Sequence, residues 1–234
     1  MIQIERAVRF LEKNPLDQID MLECIQRGNG ELLHVDADGV LLRDIPSGTY
    51  MLSAETEPAA RACVSKLSAA DLIVCHQKFY ADWLTEAFGL SCSERCHQAA
   101  YLRKEPLLEP EGRWSIQTLD ESSFSFVRAH YQMIPDDGYI RERLRSGMMY
   151  GAFVDGEPAG FIGMHAEGSL GLLEVLPEYR RRGIAYALEA HAINRMLERG
   201  WVPYGQVIEG NQPSMELQHR LGLSMAEHAC YWMA

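Results

Sequence analysis

Gly171-Leu172-Leu173-Glu174-Val175-Leu176-Pro177-Glu178-Tyr179-Arg180-Arg181-Arg182-Gly183-Ile184-Ala185 is the stretch on which the reading of this chain turns. An apolar run up to Pro177 reads as a strand, a short loop carries three cations, and a small-residue turn opens a helix predicted over 183–199. At a helix N-terminus the first backbone N–H groups have no internal partner, and the helix dipole stands behind them. Gly183 and Ala185 keep bulk away from those groups. The segment therefore predicts a socket for a diphosphate, with Arg180, Arg181 and Arg182 adding charge around it. One arginine there would read as a solvated helix start. Three in a row before Gly-Ile-Ala, in a chain of net charge −11, ask for a local reason.

Outward from this stretch the pattern is mixed. Downstream come a strand at 204–208, a helix at 213–221 and a last strand near 228–233. Upstream lie strands at 115–118, 149–154 and 159–165 and helices near 120–131 and 137–146. Asp155-Gly156-Glu157 reads as a hairpin turn between two of these strands. The charged, Pro-rich segment 104–112 reads as a linker. Before it, residues 2–27 have helical periodicity broken near Pro15. Strands are expected at 32–35, 40–42, 49–52, 72–75 and 97–103, and helices at 58–67 and 79–88, the second stopped by Gly89. Asp36-Ala37-Asp38-Gly39 reads as a turn, because the later ligands of a calcium loop are missing. The fold class is α/β (α+β), in two parts: 1–106 and 113–234. The parts end alike. Leu72–Gln77, a helix, Phe88-Gly89-Leu90-Ser91 and a strand through Tyr101 are echoed by Gln206–Gln212, a helix, Leu221-Gly222-Leu223-Ser224 and a strand through Tyr231, the mark of a faint internal duplication.

Composition bounds the function. With 47% hydrophobic and 24% charged residues the chain reads as globular, and no apolar run approaches the roughly 18 residues of a membrane span. The N-terminus carries no basic segment followed by an apolar core, so a cytoplasmic location is the default expectation. The acidic balance argues against nucleic acid or an anionic membrane as partner. Cys92 and Cys96 with His97 lack the second pair of a zinc site, so no metal is expected. The six cysteines read as reduced.

The phosphate-loop segment resembles the acyl-CoA-binding motif of the Gcn5-related N-acetyltransferase (GNAT) superfamily, Arg/Gln-x-x-Gly-x-Gly/Ala, through Arg180, Gly183 and Ala185. A second family signature follows in Asn211-Gln212-Pro213-Ser214, Leu217 and Leu221-Gly222-Leu223. The resemblance covers roughly residues 113–234. It implies a mostly antiparallel sheet flanked by helices, preceded by a smaller, degenerate half of the same kind, an arrangement similar to the glycine N-acyltransferase-like branch. In the first half the equivalent loop is Ser53-Ala54-Glu55-Thr56-Glu57-Pro58. It is acidic and lacks the glycine, so it should repel a diphosphate.

By resemblance, the backbone of Leu173, Glu174 and Val175 pairs with the pantetheine arm as an added strand. Amides from Arg181 through Gly183, Ile184, Ala185 and Tyr186 hold the diphosphate, with Asn211 and Ser214 contributing to coenzyme binding. Acetyl-CoA is the implied cosubstrate, and a small-molecule amine or amino acid the implied acceptor. The first half shapes the acceptor pocket or joins subunits in a homodimer. The chain departs from the family at the acid–base positions. Gln218 stands where many relatives carry a tyrosine acid, and Ser169 and Gln206 stand where some carry a glutamate. Glu174 and Glu209 are then the expected bases, with His165 and Glu167 also on the acceptor side and Tyr231 or Ser214 as substitute donors. A non-catalytic acyl-CoA-binding module is the alternative.

Overall fold

The computed structural model describes residues 2–234. In chain order the elements are α1 (Ile2–Leu11), α2 (Ile19–Gln26), β1 (Gly30–Val35), β2 (Gly39–Asp44), β3 (Tyr50–Ala54), α3 (Glu57–Val64), β4 (Ile73–Cys75), α4 (Ala81–Phe88), β5 (Cys92–Ala100), β6 (Ser115–Thr118), α5 (Phe124–His130), α6 (Asp137–Arg145), β7 (Met149–Val154), β8 (Glu157–Met164), β9 (Leu170–Val175), α7 (Ile184–Leu197), β10 (Tyr204–Ile208), α8 (Gln212–Leu221) and β11 (Ser224–Met233). The mixed α/β class and the mostly antiparallel sheet with flanking helices are as expected. The stop of α4 is legible in chemistry: Gly89 sits at φ +70°, a left-handed conformation that glycine enters freely.

Two compact units interleave along the chain. One holds the residues up to Ala100 together with Gln206–Met215 and Leu223–Ala234; the other holds Tyr101–Gly205 and Glu216–Gly222. In the first unit the strand order runs β1-β2-β3-β4-β11-β5, then the last three residues of β10. Here the strand–helix–strand segments that close the two halves exchange their final strands. β11 pairs antiparallel with β4 (Tyr231 opposite Cys75) and with β5 (Tyr231 opposite Arg95). One face of this sheet buries Leu41, Leu52, Ile73, Tyr80 and Leu84, the other Leu11, Met21, Leu42, Met51 and Val74. At its centre the fully buried His76 donates from Nδ1 to the Leu52 carbonyl (2.9 Å) and from Nε2 to Asp20 (2.8 Å). Burial works against a charged ring there, and the Asp20 carboxylate overcomes it, so the His76 pKa is raised.

In the second unit the order is β10-β9-β8-β7-β6, antiparallel except for β9 with β10. Leu119, Val127, Ile140, Leu144, Met149, Phe161 and Leu172 form the core between this sheet and α5 and α6. The segment 104–112 differs from the free linker that its composition suggests. Asn194 on α7 accepts from the Leu107 N–H (2.7 Å) and donates to the Leu107 carbonyl (2.9 Å), while His191 and Asn194 both meet the Glu109 carboxylate. One amide side chain thus stands in for a strand neighbour and straps the segment down. Among the described residues, no helix is long and apolar enough to cross a membrane.

Candidate active site

β9 is where the sheet opens. It pairs with β10 at one position, Leu170 with Gly205, and beyond it the edge from Gly171 to Val175 is paired on the β8 side alone. The cause lies in the strand. Leu172 takes φ +50°, and the β8 register slips between Phe161 and Gly163, the signature of a bulge that twists β9. A non-glycine residue held there costs about 1–3 kcal/mol, a strain that commonly marks a functional position. Gly171 to Val175 spans about 13 Å at 3.3 Å per residue, with amides, and carbonyls short of that of Val175, available to an extended ligand. Leu173, Glu174 and Val175, the expected pantetheine contacts, lie on this edge.

The phosphate loop follows directly. Pro177–Tyr179 forms a single 3-10 turn, Arg180 is extended, Arg181 turns to φ +60° and Gly183 to φ +90° as the N-cap of α7. No side chain caps this helix, and its first i→i−4 bond is donated by Ala187 N–H to Gly183 O (3.0 Å). The amides of Ile184, Ala185 and Tyr186 therefore precede the first helical bond and face outward, as a diphosphate requires. Arg180 folds back, its Nε donating to the Val175 carbonyl (2.9 Å). Arg181 is exposed, and Arg182 lies 5.4 Å from the Tyr179 ring centroid. The matching helix of the first half has no such opening: Thr56 caps α3, its Oγ1 accepting from Ala59 N–H (3.3 Å), and Glu57 stands in the first turn. The groups present at Arg180–Tyr186 fit a coenzyme A diphosphate, and those at Ser53–Pro58 do not.

Glu209, Asn211 and Ser214 belong to the other compact unit, at the turn from β10 into α8. Asn211 Oδ1 caps that helix by accepting from Ser214 N–H (3.2 Å), which leaves its amide protons for other use. Glu209 pairs with Arg95 (2.9 Å) and lies 3.9 Å from His97. Tyr231 is buried in β11.

A cluster that the sequence only hinted at occupies the α5–α6 face of β8 and β9. Glu174 is half-buried beside Tyr131, and burial raises its carboxyl pKa against the pull of Arg180 and His130. Burial, with Glu174 and Glu167, pushes the Tyr131 phenol up to about 12. Ser169 Oγ donates to Glu167 Oε1 (2.5 Å), and Tyr204 donates to the Glu167 carbonyl (2.8 Å). His165 Nδ1 lies 2.7 Å from the Tyr139 hydroxyl. Sequence reading named His165 and Glu167 but missed Tyr131 and Tyr139. Tyr139 sits three residues after the N-cap Asp136 on a mostly polar helix, and spacing alone does not reveal which way it faces. Gln218, at the position of the family's tyrosine, is buried and donates to Glu189 Oε1 on α7 (2.7 Å).

Among the described residues, no group of three or more His, Cys, Asp or Glu side chains could hold a metal ion. Residues 113–223 match the model of the Acetyltransferase (GNAT) family. A GCN5-related N-acetyltransferase-like protein from Streptococcus suis superposes with TM-score 0.62 at 15% identity, covering 98% of this chain and 97% of that one. A GNAT-family protein from Novosphingobium aromaticivorans gives TM-score 0.58 at 20% identity, covering 94% and 96%. A tandem GNAT protein from the clavulanic acid biosynthesis pathway gives TM-score 0.52 at 15% identity, covering 98% and 94%. A search of curated protein sequences found no match. The uncapped arginine loop, the bulged strand before it and the family match all fall within one segment: residues 113–223 carry the GNAT acetyltransferase fold.

Proposed function

We propose that this chain transfers an acyl group, most simply acetyl from acetyl-CoA, to a primary amine of a small molecule or amino acid by direct attack on the thioester. The observation that carries the reading is the combination of an uncapped α7 N-terminus behind three arginines with an open β9 edge leading away from it. GNAT family members use acetyl-CoA, which supplies an activated acyl group on a thiol that leaves readily. Arg180 to Tyr186 bind its diphosphate, and the β9 edge aligns its amides. Glu174 and Glu167 give the α5–α6 face a negative character that suits an acceptor arriving as an ammonium ion.

The N-terminal half is read as a degenerate copy of the same fold, similar to the glycine N-acyltransferase-like branch. Support comes from the repeated strand–helix–strand ending and the exchanged strands β5 and β11. A likeness across nearly the whole chain to a protein described as a tandem GNAT adds to it. One observation favours the alternative of a non-catalytic acyl-CoA-binding module: Gln218 replaces the tyrosine and is turned into the interior.

Titration calorimetry of coenzyme A on the wild type and on an Arg182→Glu, Gly183→Asp double variant tests the loop. Thiol release from acetyl-CoA with a panel of primary amines, amino acids and polyamines tests the transfer. Equal affinity of the two proteins would remove the phosphate-loop assignment. Tight binding without turnover on any amine would favour the binding module.

A further inference from the structure

His165 ends the β8–β9 hairpin, its N–H donating to the Ser169 carbonyl (2.8 Å) and its carbonyl accepting from Gly168 N–H (3.0 Å). The ring lies over β9 at Gly171, where a Cβ would collide with Nε2. Only glycine lets the imidazole stand this close to the strand backbone. Gly171 is the residue before the Leu172 bulge, at the end of the open edge far from the phosphate loop. A coenzyme held by its diphosphate at Gly183 and aligned along β9 presents its thioester toward this end. The other ring nitrogen is already engaged: Nδ1 lies 2.7 Å from the Tyr139 hydroxyl, and the two rings pack 6.2 Å apart.

We propose that His165 is the proton acceptor of the transfer, with Tyr139 as the positioning residue: Nδ1–H donates to the Tyr139 hydroxyl oxygen, which fixes the ring and leaves Nε2 unprotonated and facing the acceptor amine. The proposal rests on the acyltransfer reading above. As the C–N bond forms and the C–S bond breaks, the amine proton passes to Nε2, and the thiolate leaves and takes a proton from solvent. The imidazolium then returns its own proton to solvent. Every charged or titratable group around the ring bears on this role. Burial lowers the His165 pKa, the Glu167 carboxylate opposes it, and Arg143 on α6 reinforces it. The ring is accordingly neutral near pH 7, as a base must be. Burial holds Tyr139 protonated, so it serves as a hydrogen-bond partner and does not compete as a base. Glu174, facing the same space from β9, is left to attract the incoming cation.

The test uses the full chain, acetyl-CoA and the same amine panel. His165→Gln should lower kcat by about 10²–10⁴-fold, with coenzyme affinity by calorimetry unchanged. The wild type should show a rise of kcat/KM with pH through the imidazole ionisation, and His165→Gln should abolish it. Tyr139→Phe should keep that rise and move its midpoint. In His165→Ala, added imidazole should restore turnover. Wild-type rate and pH profile retained by His165→Gln would overturn this assignment alone. Coenzyme binding with no amine acylated by the wild type would overturn the transfer reading and this one with it.

Discussion

Replacing Glu189 by Gln should make the protein more stable above neutral pH and leave it nearly unchanged in mild acid. Glu189 is 4% exposed on α7, and its one hydrogen bond is from Gln218 Nε2 (2.7 Å). Its second oxygen, Oε2, and Gln218 Oε1 are both buried without a partner. Two acceptors orphaned side by side are satisfied together if the carboxyl keeps its proton. Burial raises the Glu189 pKa to about 7, and only the Gln218 amide resists that shift. The titratable side chains of the elements packed on α7 and of its partner α8 are Tyr150, Glu157, Glu174, Glu216, His219 and Arg220. None of them contributes to the shift. A raised carboxyl pKa means that the folded state holds the proton more tightly than the unfolded chain. Stability is then greatest below pH 4.5, where both states are protonated. It declines as pH rises from 4.5 to 7, and is level beyond. Between pH 5 and pH 8 the loss is about 2–3 kcal/mol, from about 1.4 kcal/mol per pKa unit. For a chain of this size that is roughly 5–10 °C in melting temperature. Glutamine at 189 can close the same two-bond ring without a proton. The melting-temperature gap between Glu189→Gln and wild type, followed by calorimetry at several pH values, should widen by about that amount. A gap that stays constant across the range would refute the reasoning.

Four further outcomes are expected. Asp20→Asn leaves the buried His76 without its counter-charge and should cost about 3–5 kcal/mol in urea denaturation. Because the His76 pKa is raised, the loss should be full below pH 6.5 and shrink as pH climbs through the folded value. Gly183→Ala forces a side chain into φ +90° and should weaken coenzyme binding by about tenfold or more, read by calorimetry. Asn194→Ala frees Leu107 and should cost about 1–3 kcal/mol while opening 104–112 to limited proteolysis. A thiol reagent on the native protein should label Cys92 quickly and the five buried cysteines slowly; two or more fast thiols would contradict the burial pattern.

What the sequence disclosed and what it hid divide along physical lines. The strands 204–208 and 149–154 and the end of α4 at Gly89 were legible because alternation and left-handed glycines are local signals. The open helix start behind three arginines was legible for the same reason, since Arg180 to Ala185 lie together in the chain. The strap at 104–112 was not, since the amide that holds Leu107 belongs to Asn194, 87 residues later. The cluster on the α5–α6 face of β8 and β9 was half-legible. His165 and Glu167 are conspicuous residue types, but the Tyr139 contact depends on how α6 rotates against β8. The inward turn of Gln218 likewise depends on Glu189, which nothing nearby in sequence announces.

The exchange of β5 and β11 has a consequence for how the polypeptide acquires its shape. Cys75 finds its neighbour in Tyr231, so the sheet begun by β1 to β4 waits on a strand that lies far downstream in the chain. Until β11 has been made, β4 and β5 are exposed edges seeking partners, a state in which slow closure and mispairing between nascent chains are the hazards. Severing the chain at 104–112 would strand both edges permanently, so neither fragment should be recoverable as a soluble species, whereas the two expressed together should reassemble.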